Sequence, residues 1–332
     1  MAKRKPSHIL VIRLSALGDA AIAAPVVDAF ADANPDVHFT VAAPPRLQPL
    51  FLCKDNVDFL GVAKRQPARH IARQLSEVKA DAIADLHGIA RVRHAIWLLR
   101  LRSLVNRAPL TIRHIHKGRF SRWLMLHHWC RQRRQQWQRY ADTLTRLGLT
   151  PPAMTGGSLN LVPKDNTIGL APFAQHPGKI WPWEYTCTLA ITLAEDGYRV
   201  ILFGSNDEAP QLEQLASRHV NITSIAGKYT FQQELDTIRH LALMVTMDSA
   251  NMHFASAVGT PAVSIWGATH PDFGFYGYHQ SKTNALCAHL PCQPCSTYGQ
   301  RKCRYGDYRC LHTITPEQVA AHIISLLKNN NP

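Results

Sequence analysis

Short apolar stretches alternate with longer helical patterns along most of this chain, and this alternation restricts its fold more than any other feature. In the C-terminal half, strand patterns occupy residues 167–171, 198–203, 222–225, 241–246 and 262–266, with helix patterns at 183–195, 207–218 and 231–240. The N-terminal half shows strand patterns at 8–14, 37–43 and 81–86, an Ala-rich helix at 17–31, and a basic, largely helical region after residue 86. Strands that alternate with helices of this length form βαβ units, so we predict an α/β fold with mostly parallel sheets.

The composition changes to Gly, Pro and Thr around residues 147–164, which is typical of a linker. We therefore predict an N-terminal domain at 1–150, a linker at 151–165 and a C-terminal domain at 166–332. Two domains of this type place the carboxyl ends of their strands on either side of a cleft. The last helix begins with a capping box at Thr315 and Gln318, and it is in a position to pack back toward the first domain.

No apolar run reaches the roughly 18 to 20 residues that span a bilayer. The run at 9–14 is also too short for the apolar core of a signal peptide. We therefore expect a cytoplasmic protein.

The positive charge is concentrated in one region. Residues 86–141 contain 13 Arg and Lys but no Asp or Glu, so this region accounts for nearly all of the net charge of +14. Tryptophans and other aromatic residues are interleaved with the cations. This mixture suits an anionic partner with an apolar part, such as a lipid surface or a phosphorylated glycolipid. Nucleic acid and a merely solvated basic helix are the alternatives.

Asp248 and Ser249 follow an apolar strand and open the next helix. Strand-to-helix junctions of parallel sheets bind nucleotides, because free N–H groups and the helix dipole point at the ligand. A carboxylate beside a hydroxyl suits ribose or sugar hydroxyl groups. The alternative is that one of the two side chains only caps the helix.

Asp19 follows the first strand in the sequence Arg-Leu-Ser-Ala-Leu-Gly-Asp at 13–19. A dinucleotide-binding domain requires G-x-G-x-x-G here, and only Gly18 is present, which argues against a nicotinamide or flavin enzyme. A carboxylate at this position can act as a general base for an acceptor hydroxyl. It can also simply stabilise the start of a helix.

Lys179 lies in a loop at 171–182 that follows the first strand of the second domain and contains Gly178. Exposed N–H groups and a lysine point charge in such a loop can hold a diphosphate.

Together these motifs make the chain resemble glycosyltransferase family 9, the ADP-heptose:lipopolysaccharide heptosyltransferases. The resemblance rests on Ile-Leu-Val-Ile-Arg-Leu-Ser-Ala-Leu-Gly-Asp at 9–19, Lys-Ile-Trp-Pro at 179–182, and Asp-Ser-Ala-Asn-Met-His at 248–253 leading to Gly-Thr-Pro at 259–261. It implies the GT-B architecture, with two Rossmann-like domains facing across a cleft, and inverting transfer without a catalytic metal or other cofactor.

The resemblance also implies roles for individual residues. Asp19 would be the catalytic base, and the implied donor site consists of Gly18, Ala174, Gln175, Lys179, Asp248, Ser249, Ala250 and His253. The implied acceptor site in the basic region consists of Arg113, Lys117, Arg119 and Arg122. The implied partners are ADP-heptose, a phosphorylated glycolipid of the lipopolysaccharide core and the inner-membrane surface, with no nucleic acid.

The chain departs from the family at two points. Ala174 and Gln175 stand where some members have Thr or Ser, and Ser249-Ala250 replaces Thr-Gly or Ser-Gly. Both changes affect the implied donor site, so the donor could differ from ADP-heptose. A non-catalytic lipid or nucleic-acid binder and another nucleotide-sugar enzyme, such as an epimerase, are the rival functions.

Four cysteines cluster near the C-terminus, at Cys292, Cys295, Cys303 and Cys310. A structural zinc site of four thiolates and redox-linked pairs are both possible, but we favour reduced thiols because the second pair lacks CxxC spacing. The remaining cysteines, interpreted as packing residues, are Cys53, Cys130, Cys187 and Cys287.

Overall fold

The computed structural model describes residues 5–51, 54–63, 65–107, 109–129, 134–153 and 166–328. The chain forms two compact units, one comprising residues 1–119 and 134–155 and the other comprising 120–133 and 156–332. Cys53, Cys130 and most of the predicted linker lie outside the described residues. The domain boundaries that we predict at 150 and 166 therefore remain a proposal.

The first unit is built on a parallel five-stranded sheet in the order β3-β2-β1-β4-β5. Its strands are His8–Ile12 (β1), His38–Ala43 (β2), Val57–Gly61 (β3), Ala82–Asp85 (β4) and Thr111–His114 (β5). The helices up to the second unit's first strand are Leu17–Ala33 (α1), Ala68–Glu77 (α2), Ala90–Val105 (α3), Arg119–Leu126 (α4) and Gln136–Thr145 (α5). The central strand β1 is almost entirely buried, which explains its continuous apolar sequence.

The second unit has a parallel six-stranded sheet in the order β11-β10-β9-β6-β7-β8. The strands are Thr167–Ala171 (β6), Arg199–Leu202 (β7), Ile222–Ser224 (β8), Leu243–Met247 (β9), Ala262–Trp266 (β10) and Ala285–Cys287 (β11). The helices are Trp183–Glu195 (α6), Ala209–Ala216 (α7), Phe231–His240 (α8), Ala250–Ala257 (α9), Arg309–His312 (α10) and Pro316–Lys328 (α11). The predicted α/β class with parallel sheets is confirmed.

The basic region differs from its prediction, because the strand β5 at Thr111–His114 interrupts the expected helices. This strand lies at the edge of its sheet and is only partly buried, so it lacks the apolar run of an interior strand. The described part of α4, from Phe120 onward, is grouped with the second unit.

The last helix has the predicted N-terminus. Gln318 Oε1 accepts a hydrogen bond from the Thr315 backbone N–H, and the Gln318 N–H donates to Thr315 Oγ1. The helix α11 packs against α6 of the same unit. Within the described ranges, no helix combines the length and apolar character needed to cross a membrane.

Candidate active site

Each sheet has one point where the chain reverses its direction of strand addition. In the first unit this point lies between β1 and β4, and in the second it lies between β6 and β9. Ligands of open α/β sheets bind beyond the carboxyl ends of the strands at such a point. The predicted residues Asp19, Lys179 and Asp248 all follow one of these four strands. The topology thus defines one candidate half-site in each unit.

Asp19 lies in the first turn of α1 and forms an ion pair with the guanidinium of Arg13, which leaves β1. The Arg13 side chain is only 7% exposed, whereas that of Asp19 is 23% exposed. Arg13 also donates through Nη1 to the Leu86 carbonyl oxygen at 2.7 Å. Burial alone would lower the pKa of Arg13, but the Tyr140 phenol and the Asp19 carboxylate raise it on balance. A buried, permanently charged arginine therefore holds a more exposed carboxylate in place.

Tyr140 on α5 supports Asp19 from a fully buried position. Its hydroxyl donates to the Asp19 backbone oxygen at 3.3 Å, and it lies 3.5 Å from Oδ1 of the same residue. Burial raises the pKa of Tyr140 well above its ordinary value, so the phenol remains a donor. The sequence did not single out this residue.

A second network beside Asp19 was also missed by sequence reasoning. The fully buried Asp85 carboxylate, at the end of β4, lies 2.8 Å from His114 Nδ1 and accepts the backbone N–H groups of His87 and Gly88. Burial would raise the pKa of Asp85, but these hydrogen bonds lower it on balance. The result is a fixed loop from 85 to 88 at the end of the sheet.

His87 in this loop lies 2.9 Å from the Ser15 hydroxyl through its Nε2 atom. Burial, followed by the nearby charge of Arg13, lowers the pKa of His87 to about 4. The imidazole is therefore neutral at physiological pH.

Lys179 and Asp248 form an ion pair in the second unit, with 2.7 Å between Nζ and Oδ2. Here the carboxylate is the more buried partner, because the Asp248 side chain is 8% exposed and that of Lys179 is 15% exposed. Thr269 donates its hydroxyl to the same Oδ2 atom at 2.7 Å. Sequence reasoning missed Thr269. This residue follows β10, which lies beside β9 in the sheet, so the end of β10 is close to Asp248.

Ser249 occupies the N-cap position of α9 without making a side-chain capping bond. Its hydroxyl instead lies 3.1 Å from Thr246 Oγ1. The Asp248 carboxylate contacts Lys179 and Thr269, and Ser249 makes no capping bond, so the capping interpretation fails for both residues. The first-turn N–H groups of α9, including that of Ala250, thus face the junction without a cap from Ser249, which is the arrangement that attracts phosphate. His253 is buried in the same helix.

The loop that carries Lys179 is held by close backbone contacts. A Cβ atom on Gly178 would lie 2.8 Å from the Gly299 oxygen, and Gly178 accepts the Ala268 N–H at 2.7 Å. A Cβ on Gly299, whose φ is +80°, would lie 2.7 Å from Lys179 Cγ. Only glycine permits both approaches. The segment around Gly299 therefore covers the alkyl stem of Lys179.

The remaining implied donor residues are less constrained. Gln175 is exposed and Ala174 is partly buried in the loop before Lys179. Gly18 precedes Asp19 in the first turn of α1, in the other unit.

The structure separates the four implied acceptor residues. Lys117 lies over Gly88, because a Cβ built on this glycine would be 3.0 Å from Lys117 Cε. The Arg113 guanidinium already donates to the Ile112 and Arg146 carbonyl oxygens. Arg122 donates to the Tyr298 hydroxyl at 2.7 Å. The backbone of Arg119 opens α4, and its side chain lies outside the described part of the structure.

A cationic cavity of about 390 Å³ lies beside α5 in the first unit. Its lining residues are His116, Arg134, Arg139, Asp142, Thr145 and Arg146. Arg134 is paired with Asp142 at 2.7 Å, which leaves the cavity lining with an excess of positive charge. Sequence reasoning noted the acid-free region but did not select these arginines.

The segment with the clustered cysteines is bonded to Ala268, which in turn is bonded to Gly178 in the loop of Lys179. Cys292, Cys295, Cys303 and Cys310 are free thiols, and among the described residues no group of three or more His, Cys, Asp or Glu is placed to hold a metal ion. The Cys295 and Ser296 N–H groups both donate to the Ala268 oxygen at 3.0 Å. Cys187 packs in the core, and burial raises the pKa of Cys287 to about 12.

Comparison with known proteins places the chain in a family. Residues 122–306, more than half of the chain, match the family described as glycosyltransferase family 9 (heptosyltransferase). The chain belongs to glycosyltransferase family 9. The lipopolysaccharide heptosyltransferases 2 of Salmonella typhimurium and Escherichia coli K12 are each 32% identical to this family 9 chain over 171 residues. These matches cover 48% of the chain and 46% of each relative, so the matched stretch spans about half the length of these curated relatives.

Solved structures match the family 9 chain over nearly its whole length. The glycosyl transferase family 9 protein of Veillonella parvula superposes with a TM-score of 0.73 at 20% identity, covering 97% of this chain and 98% of the other. The E. coli ADP-heptose lps heptosyltransferase II gives a TM-score of 0.67 at 19% identity, covering 98% and 100%. At these identities the likeness establishes the fold alone, which is the predicted GT-B class.

Proposed function

We propose that this family 9 glycosyltransferase transfers a sugar from a nucleotide-activated donor, with ADP-heptose as the first candidate, to a phosphorylated acceptor of the lipopolysaccharide core. One observation carries the proposal: each switch point holds a largely buried ion pair, and the more accessible member is the carboxylate in one pair and the cation in the other. The first unit presents the carboxylate of Asp19, and the second presents the ammonium group of Lys179. A glycosyl transfer needs both, a base for the acceptor hydroxyl and a cation for the leaving diphosphate.

Asp19 is the proposed general base. As the acceptor oxygen bonds to the anomeric carbon of the donor sugar, its proton passes to Asp19, and the bond between that carbon and the diphosphate oxygen breaks. The guanidinium of Arg13 fixes the orientation of the carboxylate during this step, and the hydroxyl of Tyr140 holds the backbone oxygen of the same residue. A single in-line displacement of this kind inverts the configuration of the anomeric carbon.

Lys179 and the first turn of α9 are the proposed diphosphate site. The ammonium group stabilises the negative charge that develops on the leaving nucleoside diphosphate. This role falls to a protein cation, so we propose transfer that requires no metal ion. Asp248, held by Thr269, accepts hydrogen bonds from ribose or sugar hydroxyl groups. A similar structure has been solved of E. coli heptosyltransferase with ADP-2-deoxy-2-fluoro heptose, and this likeness makes ADP-heptose the first donor to test.

The cationic cavity beside α5 and the position of Lys117 support an anionic acceptor. Arginines recognise phosphate groups through paired N–H donors. A phosphorylated glycolipid supplies such groups, and its lipid part would bring the enzyme to the cytoplasmic face of the inner membrane.

The first experiment is a thermal-stability screen of the protein against ADP-, UDP-, GDP- and CMP-sugars, with Asp248→Ala as the control. We expect ADP-heptose to raise the Tm of the native protein and to leave that of Asp248→Ala unchanged. Stabilisation by another nucleotide sugar would show that the donor is not ADP-heptose. The differences from the family pattern at Ala174, Gln175 and Ala250 allow this outcome. If none of the sugars binds, the donor site is wrong and a non-catalytic binding function takes precedence.

A further inference from the structure

Helix α3 has apolar residues on two opposite faces. Its inner face buries Val92, Ala95 and Ile96 in the core of the first unit, where α3 also packs against α2. At about 100° per residue, Trp97, Leu101 and Leu104 fall on the opposite face, within roughly 60° of one another. We call these three residues the α3 ridge.

The α3 ridge is exposed to solvent. Trp97 is 54% exposed, Leu101 42% and Leu104 67%. Single exposed apolar residues are normal on soluble proteins, but three that recur at helical spacing form a continuous patch. The core of the first unit does not require this patch, because the opposite face of α3 already supplies the packing residues.

Cations flank the α3 ridge. By the same helical spacing, Arg93 and Arg100 lie along one side of it, and both are exposed. The helix itself contains no acidic residue, and neither does any other position between 86 and 141. An apolar strip beside arginines is complementary to a surface that has anionic groups above an apolar layer.

We propose that the α3 ridge docks the protein on an anionic lipid bilayer, with Trp97, Leu101 and Leu104 at the boundary of the acyl chains and Arg93 and Arg100 among the headgroups. Tryptophan is enriched at such boundaries, and an interfacial helix gains from apolar burial together with attraction to anionic lipid. The inference draws on the proposed function only because a lipid-borne acceptor requires a membrane.

Two other occupants fit less well. A second copy of the chain would bring another ridge with flanking arginines and no acidic residue on its α3 to balance them. A nucleic acid would be held by the arginines but would gain little from Leu101 and Leu104, because phosphates and stacked bases do not require an aliphatic strip.

The test measures sedimentation of the full chain with vesicles of phosphatidylglycerol and phosphatidylcholine, and with vesicles of phosphatidylcholine alone. The ridge variant is Leu101→Ser/Leu104→Ser, and the charge variant is Arg93→Gln/Arg100→Gln. The matched control is Val220→Ser, because Val220 is almost fully exposed and belongs to the second unit. All five positions are at the surface, so the variants are expected to fold, and their Tm values check this.

We expect the native protein and Val220→Ser to bind the anionic vesicles equally and to bind phosphatidylcholine weakly. Each double variant should lower the partition coefficient by about tenfold or more, because it removes either aliphatic burial or two headgroup cations. Rising salt should weaken the binding of the native protein and of the ridge variant to anionic vesicles, and it should change the binding of the charge variant little.

Three results would overturn the proposal. The first is vesicle binding by the ridge variant at the native level. The second is a native dimer in sedimentation velocity that the ridge variant converts to a monomer, which would assign the ridge to self-association. The third is binding to single-stranded RNA that competes with vesicles and survives the ridge substitutions.

Vesicle binding does not require transfer, so Asp19→Asn should sediment with vesicles normally. A protein that binds vesicles but transfers no sugar would refute the proposed function and leave this inference intact.

Discussion

The two half-sites share a topology and differ in which member of the ion pair is the more buried, the cation or the carboxylate. Both lie where a parallel sheet reverses its strand order, and both contain a cation and a carboxylate in contact. At the β1/β4 point the cation is the more buried member of the pair, whereas at the β6/β9 point the acid is the more buried member. The more buried member of each pair fixes the orientation of the more accessible one. The comparison indicates that one scaffold supplies either a base or a phosphate-binding cation, depending on which partner is buried.

The largest effect is expected from Asp19→Asn, which keeps the shape of the side chain but removes the base. Transfer should fall about a thousandfold, within the range typical of general-base removal, while the Kd for the donor stays unchanged. The measurements are kcat from nucleoside diphosphate release and donor Kd from calorimetry.

The control for this variant is Asp36→Asn, because Asp36 also pairs with a cation, Lys5, but lies on the exposed surface. Near-native turnover of Asp19→Asn would show that the carboxylate of the first half-site is not the base.

The next effect is expected from Lys179→Met. It removes the cation of the second half-site, and donor affinity should fall about a hundredfold, since hydrogen bonds to charged groups contribute roughly 1.5 to 3 kcal/mol. Because the substitution also leaves Asp248 buried without its cation, the Tm should fall as well.

A double variant separates these two effects. Lys179→Met/Asp248→Asn removes both charges and should recover part of the lost Tm without recovering donor affinity. Lys228→Met is the matched control, because Lys228 pairs with Glu213 at the surface of the same unit. Equal donor affinity in Lys179→Met and Lys228→Met would contradict the phosphate role.

A smaller effect is expected from Thr269→Val, which deletes the hydroxyl that orients Asp248 and keeps the volume of the side chain. Donor Kd should rise about tenfold, because one hydrogen bond to a charged group is lost. Isothermal titration with the donor measures this. Thr188→Val, on the exposed face of α6, should bind the donor as the native protein does. Unchanged affinity in Thr269→Val would mean that Lys179 alone positions Asp248.

The smallest effect concerns pH and belongs to the first half-site. The pKa of His87 lies at about 4 in the folded protein, below its ordinary value of 6.5, so the unfolded chain takes up this proton first as the pH falls. Stability linked to neutral His87 is therefore fully present above pH 6.5 and is lost progressively toward pH 4. We expect the Tm of His87→Gln to decline less steeply over this range than that of the native protein. Parallel Tm profiles in calorimetry would contradict the buried, neutral state of His87.

The sequence predicted the interior strands and missed three of the four edge strands, the exception being β8, which was predicted at 222–225. The strands Thr167–Ala171 and Ala262–Trp266 and the helices Trp183–Glu195 and Phe231–His240 have the predicted bounds. The missed strands β3, β5 and β11 are all edge strands of their sheets. An edge strand is covered on fewer sides, so its residues need not be apolar, and its sequence resembles that of a loop.

The candidate site shows a similar division. Asp19, Lys179 and Asp248 each follow a recognisable strand, and the sequence therefore indicated them. Asp85, His114 and Tyr140 act through contacts between elements that are distant in the chain, and these contacts depend on strand register and helix packing that no local pattern contains. Thr269 belongs to the same group, since it follows β10 and its partner Asp248 follows the adjacent strand β9.

The separation of the paired residues along the chain has a consequence for how the protein is made. Arg13 and Asp19 are joined by a single strand-to-helix turn, and the groups that hold them, the Leu86 carbonyl and the Tyr140 hydroxyl, also precede the second sheet, so this site can be complete once α5 has left the ribosome. Lys179 meets Asp248 only after β7, β8 and β9 have been synthesised and β9 has inserted beside β6, and Thr269 arrives later still. A nascent chain would thus carry a formed Asp19 site before it has any capacity to hold nucleotide. Donor capture would mark the completion of the second sheet.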